Sequence, residues 1–430
     1  MIKSRLRKIW RNRLVKSVLV VASGTAGAQA IGMAFIPFIT RTYGPEVYGT
    51  LGAFIALTGI LTTLVALTYP VAIVLPKSDD TAKGLVKLSI LIAIGISLIV
   101  FIVLWLAGGW IMPKLGVASL SGFIYFIPLV MFLTACQNIS QQWLVRKKAF
   151  KSIANISIVH SLINYGSQAL VGIYAPLAGV LIGIHTLAIA IRSILTGYIG
   201  KKIIDTPANK KRKNISLKKV AYEYRDFPLY RAPQAVLSAA SQSLPVLMLT
   251  AFFGPASAGF YALTRTALGL PSTLLGSSVQ SVFYPHFNEA VLDKQKTLPL
   301  LIKATAVLAV IGIWPFILVI LLGPFLFNFV FGQEWQQAGR YAQWLSIWLF
   351  FVLISRPAIS AIPVFKMQRW FLGYEVISSA MRVASLILGF VLFSKDIVAV
   401  ALYSVVGALI YFCLILKVFL SAKYFDNEDF

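Results

Sequence analysis

Residues 88–112 read LSILIAIGISLIVFIVLWLAGGWIM, a stretch without one charged side chain. A membrane-spanning helix needs about 20 consecutive apolar residues, so this run is long enough to cross a bilayer. The same pattern recurs along the chain. Twelve such windows lie at 17–40, 51–75, 88–112, 122–145, 152–174, 177–199, 228–253, 257–284, 297–323, 338–364, 368–393 and 397–420. They are long apolar runs, not alternating strands of about ten residues, so a closed β-barrel does not fit them. The expected fold is all-α and polytopic, with about 12 transmembrane helices in two six-helix lobes.

Composition agrees. Hydrophobic residues make up 58% of the 430 positions and charged residues 12%, where soluble domains hold roughly 45–50% and about 25%. Mean hydropathy is +0.82. Disorder, a disulfide scaffold and a fibrous protein are excluded on the same grounds. Cys136 and Cys413 both fall in apolar runs and read as small core residues. The first apolar run is longer than a signal-peptide core and reads as a retained span.

The net charge is +25 and the isoelectric point about 10.1. Placement explains it. Of the 39 Lys and Arg, thirty fall in the tail, loops and window ends of one side, four in the loops and window ends of the other, and the remaining five are arginines assigned to the spans themselves. Basic loops mark the cytoplasmic face, so both termini are expected there and no nucleic-acid partner is implied. The predicted organisation is a basic tail (1–16), an N-lobe (17–199), a basic cytoplasmic linker (200–227), a C-lobe (228–420) and a second tail (421–430). The linker, with Lys210–Lys213, could also touch anionic headgroups.

The halves repeat. Residues 40–49 read TRTYGPEVYG and residues 250–259 read TAFFGPASAG. At this offset Thr40 matches Thr250, Gly44-Pro45 matches Gly254-Pro255 and Gly49 matches Gly259. Gly-Pro breaks a helix outside the membrane, and the later glycine is expected to let the chain turn back tightly. Six windows per half make the repeat parallel, with a substrate site expected between the lobes.

Charges assigned to the spans themselves, and not to the window ends, are functional candidates, because each is costly in the bilayer. They are Arg192, Arg231, Arg265, Arg356, Glu375 and Arg382. That balance suits an anionic ligand and does not suit a cationic one. Arg265 and Arg41 are placed to face an outer cavity. A guanidinium matches a phosphate or diphosphate in a bidentate manner. Arg356 and Glu375 could instead form an ion pair. Glu375, the single carboxylate well inside a window, is the candidate proton carrier. Packing or snorkelling is the plainer reading for Arg192 and Arg231. Gly179 and Gly183 have the spacing of a helix-packing motif, and Ser272, Thr273, Ser277, Ser278, Gln280 and Ser281 would make the eighth window polar. His160, His185 and His286 are isolated, so no metal site is expected, and no nucleotide-binding GxxxxGK[ST] or HExxH motif occurs. The outer loops are short, which disfavours a membrane glycosyltransferase or polymerase. No cofactor and no enzymatic activity are expected.

The stretch FFGPASAGFYALTRTALGLPSTLLGSSVQSVFYP (252–285) resembles the polysaccharide transporters of the MOP superfamily, the Wzx-type flippases. FPLYRAPQ (227–234), FITRTYGPEVYG (38–49) and FGQEWQQAGRYAQWLSIWLFF (331–351) are similar to the same family. The resemblance implies a two-lobed fold shared with multidrug exporters. It implies movement of undecaprenyl-diphosphate-linked oligosaccharide across a bacterial inner membrane by alternating access, for surface polysaccharides such as lipopolysaccharide. It implies membrane lipids, a polysaccharide polymerase and a chain-length regulator as partners. By location, it makes Arg265 the first diphosphate candidate, followed by Arg41, Arg356 and Arg382. A cation-coupled drug exporter and a scaffold subunit are the other readings.

Overall fold

The computed structural model describes residues 13–204, 216–293 and 295–428, and these are helical with no strand among them. The chain divides into two compact units, Met1–Ala251 and Phe252–Phe430.

The first unit holds α1 (Arg13–Thr42), α2 (Pro45–Leu64), α3 (Asp79–Lys114), α4 (Phe126–Arg146), α5 (Phe150–Gly172), α6 (Ala178–Ile204) and nearly all of α7 (Ala232–Phe253). Helix α1 runs along α5, α3 packs on α4, α5 on α6, and α2 and α6 both pack on α4. Its core gathers Tyr43, Phe54, Leu120, Ile127, Leu181 and Ile182, all buried. Lipid is as apolar as a leucine, so helices join through close van der Waals contact at small residues. Gly24 of α1 lies against Ala154 of α5 so tightly that an added Cβ would sit 2.4 Å from the Ala154 Cβ.

The second unit holds α8 (Pro255–Leu292), α9 (Thr297–Phe331), α10 (Gln336–Ile354), α11 (Gln368–Phe393) and α12 (Asp396–Glu428). Here α9 runs along α10, α10 packs on α8 and α12, and α11 on α12. Each of these pairs has its counterpart six helices earlier, which is the parallel repeat in three dimensions. Gly323 and Gly339 form the tightest approach; a Cβ on Gly339 would lie 2.4 Å from the Gly323 carbonyl oxygen.

Both Gly-Pro pairs start a helix, with Pro45 and Pro255 in the first turn, where the missing N–H costs nothing. In the second half the tight turn is made by the glycine before the proline, whereas Gly44 keeps an extended backbone with φ −65°. Gly254 has φ 88°, a backbone that L side chains rarely adopt. Gly49 and Gly259, expected to allow the return, lie instead within α2 and α8 and are buried. The packing expected of the Gly179/Gly183 motif is half realised: Gly179 meets Phe123, while nothing lies within 4 Å of a Cβ placed on Gly183.

Nine helical segments among the described residues are long and apolar enough to cross a membrane. Helices α4, α5 and α8 occupy the remaining predicted windows but are more polar. Two windows are broken by the backbone. The window 51–75 ends its helix at Leu64, and Leu67 and Thr68 take φ 47° and 56° before a short turn, Tyr69–Ala72. The window 338–364 stops at Ile354 and resumes as Arg356–Ala361, because Pro357 has no N–H to give the preceding turn. Part of the predicted linker 200–227 lies outside the described residues. Its last part forms Leu217–Glu223, whose Val220 is buried with Tyr69, Leu85 and Trp143 of the first unit.

Candidate functional site: arginines in the second unit

Asp396 marks one end of the second unit. It accepts hydrogen bonds from Tyr341 Oη (2.5 Å), Ser257 Oγ (2.9 Å) and the Ile397 N–H (2.7 Å), which ties the first two turns of α10 to the starts of α8 and α12. A carboxylate is also favoured at a helix N-terminus. From this end, depth can be counted at 1.5 Å per residue.

Arg382 lies on α11 about 16 Å from that end. Its face of the helix is polar: Ser378, Ser379, Arg382 and Ser385 are all buried, and Arg382 is 9% exposed. Its Nε donates to the Ser378 carbonyl at 3.3 Å, and Nη2 to the Ser378 and Ser379 hydroxyls at 3.4 Å. Those are long, weak bonds. The guanidinium carbon sits 5.6 Å from the Trp348 ring and 6.0 Å from the Tyr403 ring. The negative ring faces attract the cation, but no carboxylate among the described residues pairs with it. Trp348 is held edge-on to Tyr403 at 5.2 Å and reaches its place because Gly407 has no side chain. Its Nε1 is buried without a hydrogen-bond partner.

Arg265, on α8 one turn below Tyr261, is about 15 Å deep and half-buried. Its charge and that of Arg382 both act on Tyr261, whose ring lies 6.2 Å from Tyr403. Arg356 follows the break in α10, about 30 Å from the same end. Its side chain lies on Gly276; a Cβ there would meet Nε at 2.8 Å. That Nε is buried without a hydrogen-bond partner among the described residues. Tyr411 of α12 feels the charges of Arg382, Arg356 and Glu375.

The second unit thus holds Arg265 and Arg382 at about one depth, beneath Tyr261 and Tyr403, and Arg356 about 15 Å further in, with Tyr411 between the two levels. Glu375 is exposed on α11 and forms no ion pair with Arg356 among the described residues. Arg41, exposed at the end of α1, belongs to the first unit. Arg231 is exposed at the end of a π-helical turn, Phe227–Arg231. Arg192 of the first unit has a buried Nε with no hydrogen-bond partner, and its charge reaches His160, as does that of His185. The side chains of Ser272, Thr273, Ser277, Ser278, Gln280 and Ser281, the basic tail through Lys16 and Lys210–Lys213 lie outside the described residues and side chains.

Sequence reasoning missed the aromatic partners. Tyr403, Gly407 and Tyr411 are spaced one turn apart, which was the legible signal. Trp348 carried none, being one more apolar residue in an apolar run.

A family model described as polysaccharide biosynthesis protein matches residues 38–340. No curated protein matches the chain. Among solved structures, an inward-facing multidrug resistance transporter of the MATE family, in the MOP superfamily, is 12% identical. It covers 93% of this chain and 96% of its own, with a TM-score of 0.70. The lipid II flippase MurJ in an inward closed conformation is 15% identical over 94% of this chain and 89% of its own, with a TM-score of 0.62. A MOP superfamily transporter from Pyrococcus furiosus, described as having a binding pocket of reversed polarity, is 11% identical over 96% of each chain, with a TM-score of 0.55. At these identities the likeness is one of fold. With more than half of its length matched by the family model and the MOP transporter fold throughout, this polytopic membrane protein belongs to the polysaccharide biosynthesis protein family.

Proposed function

We propose that the protein is a flippase for undecaprenyl-diphosphate-linked oligosaccharide units. It carries them from the inner to the outer leaflet of a bacterial cytoplasmic membrane, with both termini in the cytoplasm. The observation that carries this reading is Arg382: a buried cation in the membrane with no acid paired to it among the described residues. Such a charge is costly unless a ligand supplies the anion. Its weak serine bonds can be exchanged for phosphate oxygens, which a guanidinium binds in a bidentate way.

The proposed path uses the depth of the arginines. Arg356 receives the diphosphate from the cytoplasmic side. Arg382 and Arg265 hold it in the outer half, and Arg41 takes it at the outer surface. The lipid tail stays in the bilayer, and the units alternate between inward and outward access. No nucleotide-binding motif is present in the sequence, so an ion gradient or product removal gives direction. Glu375 is the proposed proton carrier.

A cation-coupled drug exporter is the second reading, favoured by the MATE fold. Three arginines against one in-span acid disfavour it. The reversed pocket polarity described for the Pyrococcus furiosus transporter supports the view that this fold accepts an inverted site. The test is mass spectrometry of lipid extracts from cells lacking the protein. Accumulated undecaprenyl-diphosphate bearing one complete oligosaccharide, cleared by wild type and not by Arg382→Ala, is the expected result. A normal lipid profile with drug sensitivity would select the exporter.

A further inference from the structure

A cavity of about 600 Å³ opens where the start of α11 meets the last turns of α12. One wall is Phe365, Met367 and Trp370; the other is Lys417, Tyr424 and Phe425. Its aromatic walls are fixed by the unit behind them. Phe365 lies 5.5 Å from Phe425 and edge-on to the buried Phe287 at 5.6 Å, and Trp370 stacks on Tyr374 at 5.2 Å.

Lys417 is the one charged residue of a lining that is otherwise apolar and aromatic apart from Ser421, and its charge is unanswered among the described residues. The nearest acid in sequence, Asp426, is committed elsewhere. It accepts the Thr297 N–H and hydroxyl, both at 2.7 Å, and the Leu298 N–H at 3.0 Å. Lys366, Arg369 and Lys423 are exposed at the same end of the unit. None of these four cations takes part in an ion pair among the described residues.

The cavity also continues into the membrane surface. Phe412, Leu416, Leu420 and Tyr424 are exposed and spaced one helical turn apart on α12. They make an apolar track that runs from the bilayer-spanning part of the helix to the cavity mouth. An aromatic trough with one cation at its end, fed by a lipid-facing track, has the two-part chemistry of a phospholipid.

We propose that this cavity binds one anionic phospholipid, its headgroup phosphate on Lys417 and the upper part of an acyl chain in the aromatic trough. The site does not depend on the flippase reading. A soluble phosphate would leave the aromatic walls without a function. A zwitterionic lipid would bring a second cation to a rim that is already basic.

The test is native mass spectrometry of the full-length protein in detergent. Phosphatidylglycerol and phosphatidylcholine of identical acyl chains are the probes. Wild type is expected to retain one phosphatidylglycerol at least fivefold more than phosphatidylcholine. Lys417→Gln should remove that preference with an unchanged melting temperature, Lys417→Arg should keep it, and Leu420→Gln should weaken binding of both lipids. Equal retention of the two lipids, or an unchanged preference in Lys417→Gln, would overturn the proposal. So would displacement by inorganic phosphate at the concentration that saturates phosphatidylglycerol, which would reduce the site to an anion patch. Preferential retention of undecaprenyl phosphate over phosphatidylglycerol would also overturn it, because the site would then belong to the substrate.

Discussion

Arg146 and Arg356 occupy corresponding places in the two halves, one closing α4 and the other following the end of α10. Their surroundings differ. Arg146 donates from Nε and Nη2 to Asp79 at 3.1 and 2.9 Å, and from Nη1 to the Ile73 and Pro76 carbonyls at 3.2 and 2.6 Å. Lys147 adds a second cation on the same carboxylate. Arg356 has a buried Nε with no hydrogen-bond partner among the described residues. One arginine is consumed in fastening α3, α4 and the connection before α3. Its counterpart keeps donor capacity in reserve. The helix contacts repeat between halves while the use of charge does not. The contacts therefore specify the fold, and the unrepeated charges are where function is to be sought.

The comparison can be broken most sharply at the contacts themselves. Gly339→Val should destabilise the protein by about 3 kcal/mol or more, because its side chain meets backbone that cannot yield. Gly183→Ala should be neutral, since open space surrounds that position. Yield and melting temperature in detergent measure both. A neutral Gly339→Val would mean that the α9–α10 approach is not what holds the second unit.

Next in size are the buried arginines. Arg382→Ala should lower headgroup translocation in proteoliposomes about 100-fold, in line with loss of one charge-stabilising donor group. The melting temperature should hold or rise, because an uncompensated cation leaves the core. Arg382→Lys should restore little, since an ammonium cannot make the bidentate contact. A large fall in stability with intact transport would recast Arg382 as a packing residue.

The corresponding pair then gives opposite signatures. Arg146→Ala should cost about 1–3 kcal/mol of stability, because it strands two carbonyls and half of a carboxylate network, and should leave transport per folded molecule unchanged. Arg356→Ala should do the reverse. Identical effects from both would erase the functional asymmetry. The smallest effect is expected at Asp79, whose side chain is 48% exposed. Asp79→Asn should cost about 1 kcal/mol or less and should matter less in high salt.

Much of the fold was legible because the bilayer imposes a crude demand. Residues 88–112 and their counterparts could be read by length alone, and the paired Gly-Pro turns supplied the repeat. The interruptions at Leu67–Thr68 and Ser355 were not visible, since hydropathy runs unbroken across them and only Pro357 hinted at the second. The arginines stood out against an apolar background. Their aromatic partners did not, because a tryptophan facing a cation and one facing lipid have the same composition. The roles of Asp396 and Asp426 were invisible for another reason. Both lie at helix ends, where an acid looks like ordinary surface until its acceptor bonds are seen.

The segment after residue 215 bears on how the polypeptide could be divided. Within the first unit Val220 is buried among Tyr69, Leu85 and Trp143, the Tyr69 hydroxyl donates to the Ala221 carbonyl at 3.1 Å, and the Thr68 hydroxyl to that of Phe227 at 3.0 Å. These bonds fasten the later part of the chain to the earlier part without help from the peptide link between them. The gene should therefore tolerate being split between the codons for Ile204 and Ser216. The two fragments would find each other in the membrane and purify as one particle.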